Sequence, residues 1–464
     1  MHCAECYALR VQRYFDPSSH LSSSAGFKAR EGLAPNMQAS RLSDVAGGPS
    51  KRTSVVVMEK GGTHCTLSTK PEFICLPLSS RHSQPPVCTP YHTYTMTSTY
   101  APKVGDGLDS LDTPSMIVDL DLMEANIKKL MDTLLPTGLN IRPHLKTTKS
   151  AVLARKLNDA GAKGGCVAKL SEAEAIAAKG FTDLLITCEI IGPHKVKRLV
   201  ELFRRHRDIR IVVDSEIGAT AINDALENSD IDDPITVLID VDVGLHRTGV
   251  DPNKAVALAA RISSLKHLHL IGVQGYEGHL QHLHDREDRK RQCLESMKIL
   301  TETAEALRKE GFDIQVVTTG GTGTAEFCAS VPGITELQPG SFIFMDTDYR
   351  NAVGTFYSNS LTLLSTVVSK QGELQVTIDA GLKSLTTDSG LAECKDPRYK
   401  HHNLGDEHGS LTWEEGTPAL DVGDRVEMIP SHIDPTINLH DFYYAYRNAI
   451  IEEIWTVDSR GKVQ

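Results

Sequence analysis

Nowhere in the 464 residues does an apolar run approach the ~18–20 residues that a membrane-spanning helix needs, so no bilayer segment is expected. A basic excess is missing as well. The formal net charge is −11 at pH 7, whereas proteins that bind nucleic acid or anionic lipid concentrate Lys and Arg. Neither partner is expected, and a small molecule fits better. Cys3 and Cys6 have a C-x-x-C spacing, but no second pair stands at a zinc-ribbon distance. Cys166, Cys188, Cys293, Cys328 and Cys394 are scattered and read as reduced thiols. Also lacking are a Walker loop and a dinucleotide G-x-G-x-x-G fingerprint.

What is present is an ordinary globular composition, 40% hydrophobic and 23% charged, in a chain long enough for a large core and two domains. The first hundred residues differ from the rest. They are rich in Ser, Thr and Pro, lack hydrophobic periodicity, and hold ten Lys or Arg against six Asp or Glu, leaving 39 basic and 54 acidic residues for the body. An acid-poor, Ser-rich stretch of this kind reads as an organellar transit segment, as a disordered tail, or as an overextended start with Met96 as initiator. Residues 1–108 are therefore set apart as an extension. The location is then cytoplasmic, or chloroplast or mitochondrion if the segment is a transit peptide.

After Thr113-Pro114 short β-branched runs alternate with amphipathic stretches. Strands are expected at Leu184-Leu185-Ile186, Ile211-Val212-Val213, Val237 to Val243, Ile271-Gly272-Val273 and Ile314 to Val317. Ser171 with Glu174 has the spacing of a capping box, and Asp251-Pro252 that of a cap with a first-turn proline before Ala255 to Ile262. Strand and helix recurring every ~20–35 residues predict parallel strands with crossover helices, eight of which close a (β/α)8 barrel. An open doubly wound sheet is the competing fold. The expected barrel spans residues 109–345. From 346 to 464 short alternating runs, Leu361 to Val368, Leu374 to Ile378 and Arg425 to Ile429, predict a mostly β domain.

Arg142-Pro143-His144-Leu145-Lys146-Thr147-Thr148-Lys149 ends the first expected barrel strand, where barrels place catalytic groups. Lys146, neighboured by Arg142, His144 and Lys149, could have its ammonium destabilised and act as a nucleophile toward an aldehyde cofactor. A solvated basic cluster is the alternative. Thr318 to Thr324 (TTGGTGT) combines glycine amides with threonine hydroxyls, which suits a phosphate monoester, though a plain Gly-rich turn has the same look. Arg247 ends a buried strand and faces either the barrel mouth or solvent.

Taken together, TPSMIVDLDL at 113–122, RPHLKTTKS at 142–150, CVAKLSEAE at 166–174, IDVDVGLHRTGV at 239–250, GVQGYEG at 272–278, TTGGTGT at 318–324, ELQPGS at 336–341 and PSHIDPT at 430–436 resemble one family. It is the D-threonine aldolase and eukaryotic D-serine dehydratase family, in the alanine-racemase-like class of pyridoxal-phosphate enzymes. The resemblance covers about residues 110–455 in unbroken order and excludes the first hundred. It implies that Lys146 binds the cofactor aldehyde and that Thr319, Gly321, Thr322 and Gly323 hold its phosphate. Arg247 would lie near the phenolic oxygen and Tyr276 against the pyridine ring. Gln338 stands where alanine racemases carry an arginine facing the ring nitrogen, so the electron sink would differ.

His432 and Asp434 stand two apart, so on an extended segment both point the same way and can share a metal. In the resembling dehydratases the second position is a cysteine and in the aldolases an acid. Asp434 thus implies an aldolase, with a divalent ion such as magnesium or manganese. His282 is a further candidate, as ligand or base. The resemblance implies a homodimer and retro-aldol cleavage of D-threonine or another D-β-hydroxy amino acid to glycine and an aldehyde. A D-serine dehydratase is the alternative, ahead of a racemase or a cofactor carrier.

Overall fold

The computed structural model describes residues 58–60, 63–65 and 100–464. The chain divides into two compact units, residues 1–94 and 95–464. In the first, the strands Met58–Lys60 and Thr63–Cys65 pair antiparallel. The remaining expectations for residues 1–99 lie outside the described residues.

In the second unit eight strands run parallel: Asn140–Ile141, Gly165–Val167, Leu184–Ile186, Arg210–Val213, Ile235–Asp240, Leu268–Gln274, Val316–Thr319 and Glu336–Leu337. From the second to the eighth each pairs with its neighbour in chain order, and the eighth pairs back onto the first. The ring closes beyond the first strand. Cys166 N donates to Pro143 O at 2.8 Å and Leu145 N to Cys166 O at 2.7 Å. The open doubly wound sheet is thereby excluded, since every edge is paired.

Strand alternation splits the apolar residues between two layers. Cys166, Leu185, Val212 and Leu238 cluster together, with Ile271 and Val316 packed on them. Their sequence neighbours Val167, Ile186, Ile211 and Val237 join the main core instead. That core includes buried residues of the surrounding helices, such as Leu199, Leu202 and Phe203 of Pro193–Arg205.

The expected capping box does not form. The N-cap of the helix Leu170–Ala177 is two residues earlier, at Lys169, and the Ser171 amide and hydroxyl both donate to Gln464 O while Glu174 pairs with Arg198. Asp251 does cap, accepting from Asn253 N, but over a short 3-10 turn, Pro252–Lys254, ahead of the helix Ala255–Ser263.

A second, nine-stranded sheet holds Leu361–Lys370, Gln375–Ile378, Arg425–Ile429, Phe442–Arg447 and Ile450–Thr456 among its members. The expected boundaries shift here. Ser115–Asp119 is a strand of this sheet and not of the barrel, antiparallel to Leu361–Lys370 and parallel to Phe442–Arg447. Gly105 N and Leu108 N also bond to Ile451 O and Ala449 O, so part of the expected extension is folded onto the sheet. Local periodicity does not say which sheet a strand joins, which is why residue 109 read as the start of the barrel.

Arg142 is buried in the barrel wall, with its Nε 3.1 Å from Glu336 Oε2 and its Nη1 3.0 Å from Asp183 Oδ1. Gly164, at φ +61°, leaves room for it: a Cβ there would lie 2.3 Å from Arg142 Nη1 and 2.1 Å from Asp183 O. Arg142 therefore serves the fold and not Lys146. Removing one partner of a buried ion pair strands the other charge, so Arg142→Met is predicted to cost about 3–5 kcal/mol. Urea unfolding followed by circular dichroism measures it, and a loss under about 1 kcal/mol would show that Glu336 and Asp183 relax into solvent.

Candidate active site

A cavity of about 450 Å³ is lined by residues that follow the barrel strands, including Lys146, Arg247, Tyr276 and Gln338. Lys146 comes from the turn after the first strand, and its Nζ is in direct contact with Asp434 Oδ2. Asp434 belongs to the short helix Ile433–Ile437, after the sheet strand Arg425–Ile429. Several bonds hold that helix on the barrel side. Ile433 N donates to Asp346 Oδ2 at 3.0 Å, Thr347 N to Pro430 O at 3.1 Å, and Tyr443 Oη to Thr148 O at 2.6 Å.

The expectation that the basic cluster destabilises the Lys146 ammonium is overturned. Arg142 is in the wall and Lys149 pairs with Glu172 at 2.5 Å, so neither charge faces Lys146. Burial alone would lower the Lys146 pKa, but the Asp434 carboxylate outweighs it and the net direction is upward. Reciprocally, burial would raise Asp434, yet Lys146 and His432 hold its carboxyl at about 2. Asp434 Oδ1 is buried without a hydrogen bond.

His432 and Asp434 do not alternate along an extended segment as expected. His432 is the N-cap residue and Asp434 lies in the first helical turn. His432 Nδ1 is 2.5 Å from Asp388 Oδ2, an arrangement that fixes the ring and leaves Nε2 for a ligand. Among the described residues no group of three His, Cys, Asp or Glu side chains converges on a metal position. His282 Nδ1 is 3.1 Å from Asp348 Oδ2, and its ring packs on Tyr349, itself a cavity residue, with centroids 4.3 Å apart. Burial, with His432 and Lys146 helping and Asp348 opposing, lowers the His282 pKa.

The Gly-Thr loop divides. Gly320, Gly321 and Thr322 line the cavity, whereas Thr319 Oγ1 is spent on Glu277 Oε2 at 3.0 Å and Gly323 N on Gln281 Oε1 at 2.9 Å. Thr319 and Gly323, expected from the motif to hold the phosphate, are not among the cavity residues, because each braces the loop from behind. A Cβ on Gly321 would lie 2.4 Å from Gln281 Oε1, so glycine is needed where loop and brace meet. Arg247 stacks over the Tyr276 ring, 5.6 Å from its centroid. Gln338 bonds to Gln274 and Thr318.

Sequence reasoning missed Asp388, Asp348, the half-buried Glu189 and the buried Asp240. Asp388 is 44 residues from its partner, with nothing local to mark it. Asp240 carried a signal, a carboxylate inside an apolar strand run.

Residues 118–348 match the family model of the alanine racemase N-terminal domain, and residues 360–446 that of a serine dehydratase domain. A D-threonine aldolase of Arthrobacter sp. is 38% identical over 362 residues, 77% of this chain and 95% of the relative. The crystal structure of D-threonine aldolase from Filomicrobium marinum matches with a TM-score of 0.75 at 33% identity, over 78% of this chain and all of that one. A D-threo-3-hydroxyaspartate dehydratase from Delftia sp. matches at 28% identity and a TM-score of 0.70, over 76% of this chain and 98% of that one, in a metal-free cysteine-to-alanine variant. A histidine variant of that dehydratase is altered two positions earlier in its chain.

His144 tests the electrostatics of the cavity. Burial first, and Lys146 second, lower its pKa to about 3. In the unfolded chain it would titrate near the ordinary ~6.5. The unfolded state therefore binds the extra proton between these values, and stability falls as pH drops from about 6.5 toward about 3. His144→Gln is predicted to flatten thermal stability against pH in that window, and an unchanged slope would place the burden on other groups.

Proposed function

The chain belongs to the alanine-racemase-like family that contains D-threonine aldolase, and from that premise we propose that it is a pyridoxal-phosphate and divalent-metal dependent lyase. Its reaction is the retro-aldol cleavage of D-threonine, or another D-β-hydroxy amino acid, to glycine and an aldehyde. The observation that carries this reading is the meeting of Lys146 with Asp434, with His432 two residues away and anchored on Asp388.

The residues present fit both groups. For pyridoxal phosphate there is one amine in contact with a carboxylate at the cavity, a glycine loop whose backbone the cavity reaches, and Tyr276 with Arg247 as a flat aromatic and cationic wall. For a divalent ion there are the His432 Nε2 left over by Asp388 and the unpaired Asp434 Oδ1. Nitrogen and carboxylate oxygen without sulfur suit magnesium or manganese.

Bound there, the cofactor supplies an electron sink for the bond broken at the substrate Cα, and the ion polarises the β-hydroxyl. His282 is the base. Its depressed pKa keeps the ring uncharged near neutral pH, the Asp348 carboxylate lies 3.1 Å from Nδ1 without the alignment of a hydrogen bond, and a neutral imidazole nitrogen can take the β-hydroxyl proton. Lys146 Nζ, at the cavity beside Asp434, returns a proton to Cα. Tyr349 packs on His282 and so limits where that ring can lie.

The competing reading is dehydration, the reaction named for a matched relative that carries a cysteine two positions after a histidine. Here the residue two after His432 is Asp434, which favours cleavage. With D-threonine the expected products are glycine and acetaldehyde, and D-serine should give little pyruvate. Chelation should stop cleavage while the cofactor's visible absorbance stays, and Asp434→Ala and His432→Ala should do the same. His282→Asn should lose roughly 10²–10⁴ in kcat. Cleavage of D-threonine that survives exhaustive chelation would sink the metal role, and pyruvate from D-serine as the main product would favour the dehydratase.

A further inference from the structure

Glu189, Asp240, Gln274 and Gln338 follow or end four different barrel strands and line the cavity. The cleavage chemistry above uses none of the first three. Asp240, Gln274 and Gln338 are each at most 7% exposed, so their hydrogen bonds must be met within the protein.

Burial raises the Asp240 pKa, and hydrogen bonds to its oxygens oppose that and favour the anion. Gln274 Nε2 donates to Oδ1 at 2.9 Å and Thr248 Oγ1 to Oδ2 at 3.0 Å, the pattern of an ionised carboxylate. Glu189 supplies the missing proton beside it. Burial, then Asp240, push the Glu189 carboxyl up to about 8, and Asp214 adds to both. Near neutral pH Glu189 is thus a protonated donor to Asp240, and the pair carries a single negative charge.

A carboxamide can be turned either way in most settings. Here the anion decides. A carboxylate only accepts, so Gln274 must present Nε2 to Asp240 and therefore Oε1 to Gln338. Gln338 must answer with its own Nε2, which donates to Gln274 Oε1 at 3.2 Å and to Thr318 Oγ1 at 2.9 Å. Both amide hydrogens are then engaged, and what Gln338 retains for the cavity is the acceptor Oε1.

We propose that Asp240, acting through Gln274, locks the Gln338 carboxamide with Oε1 toward the cavity, so that the group seated against it must be a hydrogen-bond donor. The inference rests on the reading that the chain binds pyridoxal phosphate. In that cofactor the phosphate and phenolic oxygens accept, and the aldehyde is the partner of Lys146. Only the ring nitrogen can donate, and only when protonated. The cofactor is therefore held with a protonated ring nitrogen, the stronger electron sink. Asp240, Gln274 and Glu189 are positioning residues that touch the ring only through Gln338.

The test uses the full chain loaded with pyridoxal 5'-phosphate carrying ¹⁵N in its ring, read by ¹⁵N NMR at neutral pH. Wild type is expected in the protonated range. Glu189→Gln, whose amide still donates to Asp240, should keep that signal. Asp240→Asn removes the acceptor-only anchor, lets the chain of amides reverse, and should shift the signal toward the unprotonated range. Gln338→Met should lose the protonated signal and roughly tenfold in cofactor affinity, the worth of one charge-assisted hydrogen bond. It also serves if Asp240→Asn fails to fold. A wild-type ring nitrogen that is unprotonated, or variants at 240 and 338 that leave it unchanged, overturns the inference while the cofactor reading stands. A chain that takes up no cofactor sinks both.

Discussion

The contact between Lys146 and Asp434 joins two parts of the chain that are 288 residues apart, one from the barrel and one from the segment after a sheet strand. Lys146 keeps about a third of its side chain exposed while Asp434 is mostly buried, so it is the carboxylate that depends on close pairing. That requirement reaches outward. The Asp434 helix must be held to within a fraction of an ångström, and Asp346, Pro430 and the Tyr443 hydroxyl all bond across to fix it. Phe344 packs on Tyr443 with ring centroids 5.6 Å apart, adding an apolar clamp beneath. Placing Ser115–Asp119 in the sheet serves the same end, because the chain then enters the barrel from the sheet and returns to it.

Around this pair the site separates charge by environment. Asp434 is kept ionised, while the half-buried imidazoles His144 and His282 are kept neutral, and partial burial acts on all three. The sign differs because Lys146 is a cation: it favours an anion beside it and opposes an imidazolium. For both imidazoles burial is the first cause, and the ammonium reinforces it. Arg142 would have blurred the pattern had it faced the cavity, and its pairing with Glu336 and Asp183 keeps it out.

Much of this was legible in the sequence. Leu184–Ile186 and Arg425–Ile429 are strands with the bounds that their apolar runs give, and Lys146 is at the strand end where barrel chemistry belongs. Spacing failed where tertiary contacts override local geometry. His432 and Asp434 straddle a helix start, Ser171 gives its donors to Gln464, and Thr319 and Gly323 turn to Glu277 and Gln281. Long-range partners such as Asp388 and Asp348 leave no local trace, since a surface aspartate and a ligand-orienting one look alike in a string of letters.

Glutamine at position 338 shows how much an unremarkable residue type can depend on charge placed elsewhere. An arginine there could only donate, and its charge would oppose a proton on a neighbouring nitrogen. A free carboxamide would have no preference, since it can donate or accept after a half-turn. Fixing it needs an anion that cannot turn, and a bare anion buried at the end of a strand would be costly. Asp240 meets the first condition through Gln274, and Glu189 eases the second by donating a proton without adding a second charge. Two carboxyls and two carboxamides with one net charge thus define a polarity that no single one of them could hold. The electronic character of whatever is bound against Gln338 is then decided two hydrogen bonds away, at the end of the fifth barrel strand.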